Sequence, residues 1–227
     1  MNHLKTFIKH NWIFLLLYLI ILAGAGLVLL NMGKVQIHKV INAQVGNYAV
    51  DMFFKYITHL GDGLFAVIVA LFLALKSVRK ALYILLSYAG AGIVSYIMKH
   101  WIYLDANRPH FAFQYHVREE LNKVEGVDLL ALHTFPSGHA LSAFALFFCL
   151  MFMAGNQLHK ALFFIAAVIA AYSRTYLSQH WLIDIYIGSI IGASFAVLLY
   201  FIFYNVKSTD KLDVSVVELF SKKKPSV

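Results

Sequence analysis

Apolar residues in this chain fall into long runs rather than the alternating or three-and-four spacing of a water-soluble fold. Six runs stand out: Trp12 to Asn31, Gly63 to Leu75, Ala81 to Met98, His139 to Ala154, Lys160 to Tyr176 and Asp184 to Tyr204. About 20 apolar residues in helical form cross the ~30 Å hydrocarbon core of a bilayer. Inside that core only a helix satisfies its own backbone groups within one segment. The pattern therefore predicts an all-α, polytopic membrane helical bundle with about six transmembrane helices, built as a single domain over residues 1–227. The second run is short, and an upstream extension would lengthen it. Residues 32–60 mix Lys34, Lys39, Asp51 and Lys55 with apolar positions, which predicts an interfacial or partly helical segment outside the hydrocarbon. KSVRK, Lys76 to Lys80, reads as a tight basic turn, and a polar stretch of about forty residues runs from Lys99 to Gly138.

Composition supports the membrane reading. Hydrophobic residues make up 61% of the chain and charged residues 13%, against about 25% charged in a typical soluble domain; the mean hydropathy is +0.72. The net charge of +8 does not point to nucleic acid, because the cations lie scattered at the ends of the runs. Lys5, Lys9, the KSVRK turn, Lys160 and the tail residues Lys207, Lys211 and Lys222 to Lys224 all fall on one side of a six-span topology. The positive-inside rule makes that side cytoplasmic. Both termini are then expected in the cytoplasm, and residues 99–138 and 177–183 outside a bacterial inner membrane. Trp12, Trp101 and Trp181 sit near run ends, where interfacial aromatics are expected. The single cysteine, Cys149, lies in an apolar run, so no intramolecular disulfide forms.

The same topology gathers four polar clusters on the outer face. The third run ends at Lys99; the loop carries Arg108 before Pro109; the fourth run opens with FPSGH, Phe135 to His139; and SRTYLSQHWLID, Ser173 to Asp184, joins the fifth and sixth. Unpaired amides at a helix start attract anions. Gly138 admits an anion close to the backbone, and Ser137 offers a cap and a hydroxyl donor. Lys99, Arg108 and Arg174 add three cations, and the guanidinium fork suits phosphate. His180 and Asp184 are spaced i, i+4, so they share a face if the sixth helix has begun by then. A carboxylate on one imidazole nitrogen leaves the other free, which makes His180 a candidate nucleophile and His139 a candidate general acid. No paired-carboxylate or HExxH pattern suggests a metal site, and no cofactor is expected. Asp62 reads as a turn residue, and His110, His116 and His133 as loop histidines.

These motifs resemble the type 2 phosphatidic acid phosphatases, in the superfamily that includes bacterial acid phosphatases and vanadium haloperoxidases. That signature is K-x6-RP, then PSGH, then SR-x5-H-x3-D. PSGH stands at 136–139, and Ser173-Arg174, His180 and Asp184 match the third motif in full. ITHLGDG, Ile57 to Gly63, is a further likeness, and the resemblance covers about residues 50–205. It implies that Lys99, Arg108, Ser137, Gly138 and Arg174 bind phosphate, that His139 is the general acid, and that His180 is the nucleophile oriented by Asp184. Eight residues rather than six separate Lys99 from Arg108, so His100 or His110 could share the work of Lys99.

The expected function is a metal-independent integral-membrane lipid phosphatase working through a phosphohistidine at the extracytoplasmic face. Its substrate would be a lipid phosphate or diphosphate such as undecaprenyl diphosphate, phosphatidylglycerol phosphate, phosphatidic acid or a lipid A phosphate. A lipid phosphotransferase using the same intermediate, or a non-catalytic lipid-phosphate binder or transporter, are the alternatives. Membrane lipids and the lipid substrate are the expected partners.

Overall fold

At every position where the sequence predicts a span, the chain forms a helix. The computed structural model describes residues 2–205 and 211–221, and the regular elements among them are helical. In order they are α1 (Asn2–Asn31), α2 (Lys34–Asn42), α3 (Tyr48–Ile57), α4 (Gly63–Ala74), α5 (Val78–Ile97), α6 (Pro109–Ala112), α7 (Gly138–Met153), α8 (Gln157–Tyr176), α9 (Leu182–Asn205) and α10 (Val216–Ser221). Three stretches, His3–Asn31, Val78–Ile102 and Leu182–Tyr204, are long and apolar enough to cross a membrane. A fourth span results if Tyr48–Gly61 and Gly63–Ala74, bent by 57° at Asp62, are taken together. The upstream extension expected for the second run is therefore present as α3, and the bend places Asp62 at the start of α4. The predicted interfacial segment 32–60 folds as α2, α3 and a 3-10 turn, Thr58–Gly61.

α7 forms the axis of the bundle. Twelve of its 16 residues are buried, as expected of a helix that is apolar all round and enclosed by others. It packs most extensively against α9 and α8. The approach to α9 is unusually close because α9 presents Gly188 and Gly192 to it. A Cβ on Gly192 would lie 2.3 Å from the Leu141 carbonyl oxygen, and one on Gly188 would lie 2.7 Å from that of Ser137. Small residues four apart let helix backbones meet in this way. The outer surface of α1, by contrast, exposes Leu16, Leu19, Ile20 and Leu27, a lipid-facing surface.

The predicted basic ends do converge, although several of their cations are internal. Buried Lys160 donates to the His10 carbonyl and to Asn11 Oδ1, both at 2.7 Å. Arg79 of KSVRK donates from Nε to the Phe203 carbonyl at 2.9 Å and lies over the Tyr204 ring. Phe7 packs on Phe152, Tyr200 and Phe201. The starts of α1, α5 and α8 and the ends of α7 and α9 thus share one end of the bundle. Ser77 Oγ donates to Asp213 Oδ1 at 2.6 Å, so the segment before α10 docks there too. Lys207 and Lys222 to Lys224 lie outside the described residues.

Trp181 departs from expectation. It is 1% exposed, enclosed by His38 and Phe113 with Lys34 Nζ 5.0 Å from its ring centroid. Residues of α2 and of the 99–138 loop cover it, so it braces the site rather than marking the lipid interface. Trp12 and Trp101 are exposed, as predicted.

Candidate active site

The ends of α5 and α8 and the starts of α4, α7 and α9 meet at the bundle end opposite the basic one. Ser137 starts α7 as its N-cap, fully buried, with Oγ accepting from the Ala140 amide at 3.4 Å. Its own amide donates to the Asp184 carbonyl at 3.0 Å, which ties the start of α7 to the start of α9. The free amides at the α7 N-terminus face the site with the positive end of the helix dipole.

His180 lies in the turn before α9, because that helix begins at Leu182. The face-sharing argument of an i, i+4 pair therefore does not apply, and the contact with Asp184 is made by the turn. The His180 amide donates to the Arg174 carbonyl at 3.1 Å, and the Trp181 amide donates to Asp184 Oδ2 at 2.9 Å. The carboxylate is thereby held 3.3 Å from His180 Nδ1. Thr134 completes the arrangement: its hydroxyl lies 3.2 Å from His180 Nδ1 and donates to Asp184 Oδ2. Nδ1 is fully engaged, and Nε2 points the other way, 3.5 Å from Arg108 Nη1.

Three cations act on the His180 ring, Arg108 at 3.5 Å from Nε2 and Arg174 and Lys99 beside it. Arg108 is held by the Leu132 carbonyl, at 2.9 Å from Nε, and by the Gln179 carbonyl and side chain, at 3.0 and 3.1 Å from Nη1. Arg174, 8% exposed, donates from Nη1 to Thr58 Oγ1 at 2.9 Å. Its Nε has no hydrogen-bond partner among the described residues, so a donor stays available to an oxyanion. Lys99 Nζ sits 3.9 Å from where a Cβ on Gly138 would be. The two extra residues between Lys99 and Arg108 are absorbed in a π-helical turn, Met98–Ile102, and the loop after it. His100 instead packs on Tyr96 and His133. His139, the first residue of α7 after Gly138, directs Nε2 onto Asp62 Oδ1 at 2.6 Å.

Burial pushes the His180 imidazole well below its ordinary value, and Arg108, Arg174, Lys99 and His139 push it further the same way. The sign matters for chemistry. A depressed pKa keeps His180 neutral, and so nucleophilic, at and below pH 6.5, the ordinary midpoint. Nitrogen-15 NMR of histidine-labelled protein in micelles, assigned with His180→Ala, is expected to show neutral His180 at pH 6. An imidazolium signal there would count against this environment.

A neutral imidazole with one nitrogen fixed, the other beside Arg108, and two further cations acting on the ring can accept a phosphoryl group. The sequence model of the PAP2 superfamily matches residues 80–208, which include every site residue just described apart from Thr58 and Asp62.

The chain belongs to the PAP2 superfamily.

It is an all-helical membrane phosphatase of that superfamily. Two solved structures share its fold. One is LpxE of Aquifex aeolicus, 24% identical with a TM-score of 0.61, covering 72% of this chain and 92% of that one. The other is a transmembrane PAP2-type phosphatidylglycerolphosphate phosphatase from Bacillus subtilis, 23% identical with a TM-score of 0.58, covering 85% of this chain and 96% of that one. No curated protein sequence matches significantly.

All eight residues singled out from the sequence of this PAP2 phosphatase come together at one place. Five neighbours of these eight were given no site role: Thr134, Gln179, Thr58, His59 and Asp62. Thr134 and Gln179 lie beside the motifs, as unremarkable polar residues next to FPSGH and His180. Thr58 and Asp62 sit in ITHLGDG, where the likeness was visible but no role was attached. Asp62, read as a turn residue, is indeed at a bend, and it also bonds His139. His59 donates to the other oxygen of Asp62, at 2.8 Å. Among the described residues no three His, Cys, Asp or Glu side chains are placed to hold a metal ion.

Proposed function

We propose that this protein hydrolyses a lipid phosphate or diphosphate at the extracytoplasmic face of the cell membrane, through a phosphohistidine on His180. The observation that carries the reading is the direction of His180 Nε2, 3.5 Å from Arg108 Nη1, while Asp184 and Thr134 hold Nδ1 and the charges of Arg174 and Lys99 also act on the ring. Phosphate oxygens bind Lys99, both arginines, the Ser137 hydroxyl and the α7 amides. Nε2 attacks phosphorus, the phosphorus–oxygen bond to the lipid breaks, and His139 passes a proton to the departing oxygen. Water then attacks the phosphohistidine, gives its proton back to His139, and inorganic phosphate leaves. The cations offset charge that builds on the phosphoryl oxygens in the transition state.

A cavity supports a lipid as the phosphate carrier. It has a volume of about 240 Å³ and is lined by Gly61, Gly63, Tyr88, Gly92, Gly138 and His139 among others. It starts at the phosphate-binding backbone of Gly138 and descends between α4, α5 and α7. A Cβ on Gly92 would meet nothing within 4 Å, so the wall is open there and an alkyl chain has room beside the site.

The outward orientation rests on the basic residues at the other end of the bundle. The test is inorganic phosphate release by purified protein in EDTA, with undecaprenyl diphosphate, phosphatidylglycerol phosphate, phosphatidic acid and a lipid A phosphate as substrates. Release from at least one lipid is expected to persist in EDTA, because the three cations supply the positive charge, and orthovanadate is expected to inhibit it. A strict metal requirement would overturn the mechanism, and no release from any of the four would overturn the function.

A further inference from the structure

Behind His139 lies a chain of groups that the reaction just described does not use. His139 Nε2 is 2.6 Å from Asp62 Oδ1, and Asp62 Oδ2 is 2.8 Å from His59 Nδ1. Three structural facts make this chain more than a surface ion pair. First, the two elements that carry it are packed against each other. Gly61 is pressed against His139, where an added Cβ would lie 2.9 Å from the His139 carbonyl oxygen. The 3-10 turn Thr58–Gly61 therefore sits directly on the start of α7. Second, the turn belongs to the phosphate site: its first residue, Thr58, holds Arg174. Third, the chain grades from inside to outside. The side chains of His139 and Asp62 are 32% and 36% exposed, and that of His59 is 67% exposed.

Protonated His139 has two N–H groups. Asp62 takes the one on Nε2, which leaves Nδ1–H to donate to the departing lipid oxygen. The carboxylate stabilises the imidazolium, as a neighbouring negative charge does. It does so in full only while Oδ1 faces His139, and the hydrogen bond from His59 to Oδ2 fixes that orientation. The other charged groups facing His139 are Arg174 from α8 and Arg108 from the loop. Burial and both cations favour the neutral ring, and Asp62 opposes them.

We propose that Asp62 and His59 are positioning residues for the general acid: Asp62 aligns the His139 ring for leaving-group protonation and favours its charged form, and His59 aligns Asp62 from the outer surface. This rests on the phosphatase reading above. No net proton is consumed, because water returns to His139 the proton that the leaving lipid removed.

The experiment exploits leaving groups. An alkoxide leaves poorly without a proton, whereas p-nitrophenolate leaves without one. Turnover of a short-chain phosphatidic acid and of p-nitrophenyl phosphate would be compared in wild type, His59→Ala, His59→Asn and Asp62→Asn, with KM measured for each. His59→Ala is expected to lower kcat on the lipid on the order of tenfold, part of the ~10²–10⁴ that a general acid contributes. It should change kcat on p-nitrophenyl phosphate less than twofold and leave KM alone. Asp62→Asn should show the same selectivity more strongly, and His59→Asn, whose amide can still donate to Oδ2, should restore most of the lipid rate. Equal losses on both substrates, or no loss in His59→Ala, would overturn the inference while leaving the phosphatase intact. A wild-type protein inert on both would overturn the function, and the inference with it.

Discussion

His180→Ala is expected to lower phosphate release about 10⁴-fold or more, the scale on which removal of a covalent nucleophile acts when the remaining site still binds. The loss should fall on kcat. Lys99, Arg108, Arg174 and the α7 amides are untouched, so inorganic phosphate should inhibit or bind the variant with an affinity within about tenfold of wild type. The structure explains why one side chain carries so much. His180 is 2% exposed and Asp184 1%, so no water replaces Nε2 at the same position. No other histidine is so placed: Nε2 of His139 is taken by Asp62, and His100 packs against Tyr96 and His133. Asp184→Asn should act in the same direction but less severely, since Thr134 still contacts Nδ1. Phosphate release from lipid and from p-nitrophenyl phosphate, with phosphate affinity by calorimetry, would check both. Turnover surviving in His180→Ala would remove it as nucleophile. Loss of phosphate affinity together with turnover would instead mean that His180 is part of the binding site.

Gly192→Ala is expected to destabilise the helix bundle. A Cβ there would lie 2.3 Å from the Leu141 carbonyl oxygen, 2.9 Å from the Ala145 amide nitrogen and 3.0 Å from the Phe144 Cβ. Two of these are backbone atoms of α7, so no side chain can swing aside and the helices must separate. Alanine gains about 1 kcal/mol of helix propensity over glycine, but overpacking a closed contact costs about 1–3 kcal/mol and sometimes more. The clash lies against rigid backbone, so a net loss of about 2 kcal/mol is expected, read as a lower midpoint of thermal unfolding in detergent. Gly24→Ala is the control, because a Cβ on Gly24 meets nothing within 4 Å. Activity should fall with stability in Gly192→Ala. The α7–α9 contact carries Ser137 on one side and Asp184 on the other, and the 3.0 Å bond from the Ser137 amide to the Asp184 carbonyl depends on their spacing. An unchanged unfolding midpoint would show that the two helices do not pack this closely.

Much of this was legible because two kinds of signal are local. A run of about 20 apolar residues is a span whatever surrounds it, since lipid imposes a backbone rule that needs no tertiary knowledge. PSGH and SR-x5-H-x3-D are likewise short and ordered, and the hairpin topology alone puts them on one face. The GSIIG stretch, Gly188 to Gly192, was equally visible, yet its meaning as the α7 contact needs the partner helix. Other residues were illegible for a plainer reason. Thr134, Gln179 and Thr58 are ordinary polar residues whose importance lies in what they touch across 46, 71 and 116 positions of sequence. Trp181 misled because tryptophan near a span end usually meets lipid; here α2 folds back over it.

The sequence by itself therefore determined the membrane class, the helices and the eight residues gathered at one end, since hydropathy, charge bias and motif order are properties of the chain. The tertiary structure decided which nitrogen of His180 is free, where the basic residues Lys160 and Arg79 are buried, and that Asp62 and His59 stand behind His139. These depend on side-chain directions set by contacts between distant segments: Lys160 with the start of α1, Arg79 with the end of α9, His180 with Thr134 and Arg108, and Asp62 with His139.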